Sequence, residues 1–387
     1  MIRSTLTAST STVSTRTSSK ARSAEMFEML AVLHLRGFRP ADLATDAGLQ
    51  TTEVLSKLQT MSGEEWSEFL SFAELQRTSL RTLQVLKQWT EAGEFTPQFA
   101  GLDELEQIQK QQISYALATL SKVVGALERT GHSPVVIKTL DHWPDIGSDL
   151  DLFISASEAD TVRVMKSELQ AEPQSQSWGD RLAHKWNFRI PGLPQLVEIH
   201  VGCLGQTGEQ EALPAYLEAT SVMREIGGFS FRVPDAEEQV TVATLQRMYR
   251  HFYIRFTDLL NLTGLVRAGH LDFARLRTST QRWSTWPGVA TLLKITADYN
   301  DRVGADALPL PAFVTEAARF GADVTYVGTQ FLRVPMLPQG SQLFLHQLLG
   351  MGAALNFRAA ARLSLLPALA AAAFVNLRLT GDDKGIW

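Results

Sequence analysis

The chain has 387 residues, 45% of them hydrophobic, enough to bury more than one core and to predict two or three domains. Its net charge of −5 argues against a protein that coats nucleic acid non-specifically, although a local basic groove stays open. The single cysteine, Cys203, excludes an internal disulfide framework and fits a reducing compartment, so a cytoplasmic location is expected.

Residues 1–22 are rich in Ser and Thr, carry Arg3, Arg16, Lys20 and Arg22, and contain no acid. Nothing there builds a core, so this tail is expected to be disordered. The same composition matches an organellar transit segment, the alternative reading. Residues 23–100 are expected to form a helical region. Met26, Phe27, Met29, Leu30, Val32 and Leu33 make a helical stripe that stops near Gly37 and Pro40. Leu43-Ala44, Ala47-Gly48-Leu49, Val54 and Leu58 then follow the spacing of a helix-turn-helix. Its second helix offers base edges only one cation, Lys57, so a structural bundle is expected and DNA binding is not. Two longer helices are expected over 63–95 and 102–130, separated at Gly93–Pro97.

Residues 101–234 carry the chemistry. Val135–Leu140 reads as a first strand, Asp149–Ile154 as a second, Glu158–Leu169 as a helix, and His184–Ile190 with Leu196–Val201 as a hairpin across Pro191–Pro194. Residues i and i+2 of a strand share one face at roughly 7 Å, so Asp149 and Asp151 point together while Leu150, Leu152 and Ile154 line the other side. Glu198 and His200 repeat the pattern opposite Val197, Ile199 and Val201. Carboxylates are disfavoured inside strands. Solvated strand-end acids are the common alternative, but three such exceptions on faces that converge argue for a site. If the strands are neighbours, about 4.8 Å apart, the hard oxygen donors suit Mg²⁺ or Mn²⁺. Lys185, Asn187 and Arg189 share a strand face and would either meet phosphates or lie in solvent.

From Asp235 to the end, 235–387, a helical C-terminal region is expected. Val240, Leu245, Met248 and Phe252 form one stripe, and Arg247, Arg250, His251 and Arg255 either line a pocket or form a solvated face. His251 and Asp258, seven residues apart, would pair on one helix if that helix is unbroken. Leu363–Leu377 is strongly apolar but shorter than the ~20 residues a spanning helix needs. A buried or homodimer-forming helix is expected there. Peripheral membrane contact, with Arg358, Arg362 and Arg378 at headgroups, is the second reading.

The run Val135–Thr139, then Gly147-Ser148-Asp149-Leu150-Asp151, then Glu198-Ile199-His200, resembles the core of the polymerase-β-type nucleotidyltransferase superfamily. Within it the chain is most similar to the broad nucleotidyltransferase-like group with a Lys-Gly turn, Ser-Asp-x-Asp and Glu-x-His. Arg250-His251 and Phe256-Thr257-Asp258 also match, and the resemblance covers roughly residues 110–270. It implies an α+β fold: a small mixed sheet with flanking helices, plus helical N- and C-terminal regions. The chain departs from the pattern at the turn, which reads Lys138-Thr139 without glycine, and this bears on nucleotide binding.

The resemblance implies a metal-dependent transfer of a nucleoside monophosphate from an NTP to an acceptor hydroxyl. Asp149, Asp151 and Glu198 would be catalytic and hold Mg²⁺ or Mn²⁺. Lys138, Thr139, Ser148 and Lys185 would bind nucleotide, with His200, His251 and Asp258 in support. Glu198 or a metal-bound state would activate the acceptor, which is a protein side chain, an RNA end, a sugar or a small molecule. The alternative is a degenerate core kept as a nucleotide sensor or scaffold.

Overall fold

The structure, a computed structural model, describes residues 8–36, 46–93, 95–96, 101–205, 207–210, 212–369, 371–372 and 375. Five helices come first: α1 (Ala8–Ala31), α2 (Asp46–Thr60), α3 (Gly63–Leu75), α4 (Ser79–Glu91) and α5 (Leu102–Glu128). The sheet region follows with β1 (Val135–Val136), β2 (Asp149–Ile154), α6 (Glu158–Leu169), β3 (Glu172–Pro173), α7 (Trp178–Leu182), β4 (Lys185–Arg189) and β5 (Leu196–Val201). Then come α8 (Leu213–Thr220), the hairpin of β6 (Val222–Ile226) and β7 (Phe229–Val233), and α9 (Ala236–Thr244). A π-helical segment, Leu245–His251, leads into β8 (Tyr253–Ile254). The remainder is α10 (Phe256–Arg267), α11 (Phe273–Arg282), α12 (Trp286–Arg302), α13 (Ala312–Ala317), β9 (Tyr326–Val327), β10 (Leu332–Arg333), α14 (Ser341–Ala353) and α15 (Phe357–Ser364). The fold class is α+β, as the sequence predicts.

The main sheet has the order β1-β2-β5-β4-β3, with β2 and β5 parallel and the other pairs antiparallel. Leu150, Leu152, Ile154, Val197, Ile199 and Val201 are buried against Leu117, Leu120, Val124 and Leu127 of α5 and Val164 and Met165 of α6. Fully burying one such side chain contributes about 1.5–3 kcal/mol. A one-residue slip of β2 would bury its two aspartates instead, so this apolar face also sets where the acids point.

The N-terminal and C-terminal helical segments share one core. Leu30, Leu58, Phe69 and Leu86 are buried in the same cluster as Val240, Leu259, Leu292 and Leu343. Phe27 makes edge contacts with Phe256 and Tyr299 at ring centroid distances of 5.5 and 5.7 Å.

Several elements differ from the sequence reading. Helix α1 begins at Ala8, inside the segment expected to be disordered, and residues 1–7 and 37–45 lie outside the described residues. Gly48, where the expected helix-turn-helix would turn, lies inside the single helix α2, so that turn is not formed there. The single helix expected over 63–95 is two. The break is held by long-range bonds: buried Gln76 donates Nε2–H to the Gln330 carbonyl at 2.5 Å and accepts from Phe256 N at 2.9 Å. The new helix start at α4 is capped from a distance, because the Asp145 carboxylate accepts from Leu80 N at 2.6 Å and Arg81 N at 3.4 Å. His251 and Asp258 do not share a helix: Phe252 (φ 52°, ψ 34°) ends the π segment, and β8 intervenes. The apolar run 363–377 is not one helix in its described part, since α15 ends at Ser364; most of 370–377 lies outside the described residues. Among the described residues no helix is long and apolar enough to cross a membrane.

Candidate active site

The polar edge of the sheet opens into a cavity of about 230 Å³ where the sheet meets the helical body. Asp149, Asp151 and Glu198 line it together with six cationic side chains: Arg77, Lys138, Lys185, Arg247, Arg250 and Arg255. The strand register brings the acids together, since Asp151 stands opposite Glu198 across the parallel β2–β5 pair. Lys185 reaches the same carboxylate from β4, donating from Nζ to Glu198 Oε2 at 3.0 Å while pairing with Asp180 Oδ1 at 2.9 Å. Of the three polar residues expected on one face of that strand, only Lys185 lines the cavity; Arg189 is exposed.

Lys138 sits among the acids. Its Nζ donates to Asp151 Oδ1 at 2.7 Å and lies 3.5 Å from Glu198 Oε1 and 3.2 Å from His200 Nε2. A γ-turn aims it there: Lys138 has φ 61° and ψ −51°, and Thr139 N donates to the Ile137 carbonyl at 2.6 Å. The positive φ that favours glycine therefore falls on Lys138 and not on Thr139, where the sequence reading missed a glycine. The Thr139 hydroxyl accepts from Asp151 N at 2.7 Å and donates to the Asp149 carbonyl at 3.3 Å, so it ties the turn to β2.

Burial is the largest influence on Asp151 and, with Glu198 alongside, pushes its pKa up to about 7 against the pull of Lys138. Burial also opposes charge on Glu198, but Lys138, the His200 hydrogen bond and Lys185 outweigh it and hold Glu198 well below the usual carboxylate range. Two buried carboxylates this close cannot both ionise at ordinary cost, so one keeps a proton more readily. Burial and Lys138 lower His200 to about 4, which leaves it neutral. Its Nε2 lies 3.0 Å from Glu198 Oε1, whereas its buried Nδ1 has no partner among the described residues. With the proton on Nε2, His200 donates to Glu198 and leaves only an acceptor unpaired; Nε2 then takes no hydrogen bond from Lys138, whose Nζ donates to Asp151.

Asp149 points along the same edge, and its Oδ2 accepts from Ser148 Oγ at 3.1 Å. Ser148 Oγ in turn accepts from Arg77 Nη2 at 2.6 Å. His251 lines the cavity and stacks on Tyr253 at 5.2 Å between ring centroids; burial and then Arg250 and Arg247 hold it well below its ordinary pKa. Asp258 has other partners than the expected His251: Arg247 Nε lies 2.6 Å from its Oδ2, which also accepts from Arg255 N at 2.7 Å.

The arginines form the opposite wall. Arg247 and Arg250 come from the π segment, Arg255 from the N-cap of α10 after β8, and Arg77 from the α3–α4 break. Among the described residues nothing accepts from Arg77 Nε, Arg247 Nη1, Arg250 Nε or Arg255 Nε, all of them buried. Unpaired buried donors on four like-charged groups are costly, and an anion between them would relieve both the desolvation and the repulsion. Burial and then Arg255 already depress the Arg77 pKa. Sequence reasoning missed Arg77 and Asp180. Thr78-Ser79, a pair of N-cap residue types inside an expected helix, was the available signal for the break.

Asp151, Glu198 and His200 each offer a ligand atom within 4.8 Å of one another, so the cluster is able to hold a metal ion. A second cavity, about 50 Å³ and lined by His200 among others, shares Lys138, Gln246 and Arg250 with the first. Its walls are mainly apolar, but the buried Gln347 lines it with neither amide atom paired among the described residues.

No family model matches the chain, and no curated protein matches it. Among solved structures it is similar to the complex of CCA-adding enzyme with ATP, at 10% identity over 51% of this chain and 54% of that chain, with a TM-score of 0.23. The chain thus spans about half the length of that enzyme. At that score the likeness carries no argument about activity.

Proposed function

We propose that the protein is a metal-dependent nucleotidyltransferase that moves a nucleoside monophosphate from an NTP to an acceptor hydroxyl. The observation that carries the reading is the pairing of a carboxylate edge with a facing wall of arginines whose buried N–H groups lack acceptors. A triphosphate bound to a divalent ion supplies both what the acids lack and what the arginines lack.

The donor chemistry fits such an ion. Asp151 and Glu198 oxygens, with Asp149 on the same edge, are the hard ligands that Mg²⁺ or Mn²⁺ prefer. His200 fits a ligand role poorly: a metal-bound histidine usually donates its other N–H to a partner, and Nδ1 has none among the described residues. It suits better the tether that holds Glu198. Ion binding would require the Lys138 ammonium to leave its place between Asp151 and Glu198, freeing it for the triphosphate. Bound there, the ion would supply charge neutralisation at the phosphates and alignment of the α-phosphorus.

The chain's own residues do the rest. Arg77, Arg250 and Arg255 hold phosphate oxygens, and Ser148 keeps Asp149 oriented. The acceptor oxygen attacks the α-phosphorus as the bond to the β-phosphate bridge oxygen breaks, and pyrophosphate leaves. The proton lost by the acceptor goes to a site carboxylate. Glu198 is a poor acceptor for it, because Lys138, the His200 hydrogen bond and Lys185 hold its pKa well below the usual carboxylate range.

Calorimetric titration of each NTP, with and without Mg²⁺, into wild type and Asp149→Ala/Asp151→Ala tests the reading. Mg²⁺-dependent binding that the double variant loses, followed by pyrophosphate release when an acceptor is supplied, is expected. The position of Lys138 favours a second reading, in which its ammonium permanently replaces the metal and the site only senses nucleotide. Tight binding that ignores Mg²⁺, with no pyrophosphate released in any acceptor pool, would establish that reading and end the first.

A further inference from the structure

Leu343, Gln347 and Met351 form the buried inner face of α14, spaced one turn apart along the helix. An apolar side chain would complete that stripe at the middle position. Gln347 stands there instead, 1% exposed, and neither its Oε1 nor its Nε2 has a partner among the described residues. A buried amide left unpaired destabilises the fold, so this glutamine calls for a partner from outside the protein.

The amide lines the cavity of about 50 Å³ that shares Lys138, Gln246 and Arg250 with the carboxylate cavity. Ile137, Leu213, Val242, Phe344 and Leu363 supply much of the other wall. His200 lines it as well, and its buried Nδ1 is unpaired among the described residues. A cavity that takes benzene measures about 150 Å³, so this one admits no nucleobase or sugar ring, only a group of about two or three non-hydrogen atoms. Gln347 presents one acceptor oxygen and two N–H donors. A carboxylate would serve the donors but set its oxygens against Oε1, and an ammonium would do the reverse. An uncharged carboxamide serves both, and a primary one has a second N–H to offer the Nδ1 of His200.

We propose that this cavity holds the primary carboxamide end of a small aliphatic molecule, and that the molecule is the acceptor of the transfer. The carboxamide pairs with Gln347, and a short stem runs along the wall shared at Lys138 to the carboxylate cavity, where the acceptor hydroxyl reacts. A sugar and an RNA end are thereby removed as acceptors, because their rings do not enter. The amide site stands on the cavity itself, whereas its assignment to the acceptor rests on the transferase reading.

The test is titration of the full chain with isobutyramide, followed by saturation-transfer NMR. Methyl isopropyl ketone is the control, with a methyl group in place of the amide nitrogen. A Gln347→Leu variant runs alongside, and its thermal melt confirms folding. Wild type is expected to bind isobutyramide about fivefold or more tightly than it binds the ketone, and than the variant binds isobutyramide. No binding of isobutyramide up to about 50 mM, equal binding of the ketone, or equal binding by the variant would each overturn the site. With Mg²⁺ and each NTP in turn, isobutyramide is expected to stay bound. Its displacement would give the cavity to the nucleotide and overturn the acceptor assignment. Absence of any NTP binding would end the transferase reading and the acceptor assignment with it, while the isobutyramide titration still decides the amide site.

Discussion

Asp151 and Glu198 stand opposite each other on two parallel strands with the Lys138 ammonium between them, 2.7 Å from the first and 3.5 Å from the second. Without a cation in that place, two largely buried carboxylates would face each other. The lysine is therefore structural in the absence of metal, whatever it does when nucleotide is bound.

Lys138→Met is expected to lower stability at pH 8 by about 3 kcal/mol, the cost of leaving a buried charge uncompensated. The loss should shrink at pH 6, because Asp151, with its pKa near 7, takes up a proton there. Millimolar Mg²⁺ or Mn²⁺ should then raise the melting temperature of the variant more than that of wild type, since the ion no longer competes with the ammonium. Thermal melts with and without the ion check this; a variant indifferent to both ions would mean that these carboxylates do not hold one.

Arg77→Ala should weaken NTP binding by about 10- to 100-fold, the loss of one charge-assisted phosphate contact and of the Ser148 bond that orients Asp149. Its melting temperature should change little. The bond to Ser148 is lost, but so are the desolvation of a buried guanidinium and its repulsion from Arg255. Titration calorimetry beside a melt separates the two quantities, and unchanged affinity would remove Arg77 from the nucleotide site.

Gln347→Met should stabilise the fold by about 1 kcal/mol, because two buried amide atoms without partners among the described residues are replaced by a thioether of similar volume. Denaturant unfolding measures this. A destabilised variant would mean that the amide meets a partner in solution, and the cavity beside the carboxylates would then be the place to look for it.

Stability should fall as the pH drops from about 6.5 toward 4. Burial depresses His34 to about 3 and His200 to about 4, and holds His142 and His251 well below their ordinary value. For such groups the unfolded chain binds more protons through this window, so acid favours unfolding. Asp141 and Asp151 act the other way: raised to about 7, they keep protons in the fold that the unfolded chain releases above pH 4. Four histidines against two acids leave a net excess in the unfolded state, worth roughly 1.4 kcal/mol per pH unit for each proton. Denaturant midpoints between pH 4.5 and 7 give the slope, and a flat or inverted profile would contradict the buried neutral histidines.

How much of this was legible beforehand follows from the range of each interaction. The alternation in Asp149–Ile154 and Leu196–Val201 is local, and it is enough to place the leucines and valines inward and the acids on the opposite face; the pairing of Asp151 with Glu198 across parallel strands comes from the sheet. The helix Glu158–Leu169 was equally legible, since one amphipathic stripe and a Ser157 cap define it. The break at Gln76–Thr78 was not. It depends on Gln330, Phe256 and Asp145, partners 65 to 254 residues away along the chain, and over 63–95 the apolar spacing alone reads as one continuous helix.

What the sequence by itself determined is the α+β class, the apolar core of the sheet and the identity of the three acids on its polar edge, because periodicity and side-chain chemistry act over a few residues. Only the tertiary structure decided what faces those acids. It turned Lys138 into the space between Asp151 and Glu198, paired Asp258 with Arg247 and not His251, and brought Arg77 from a helix break to the same cavity as Arg250 and Arg255. Each of these results from packing between elements distant in sequence, where a buried charge takes the partner that the folded core leaves within reach.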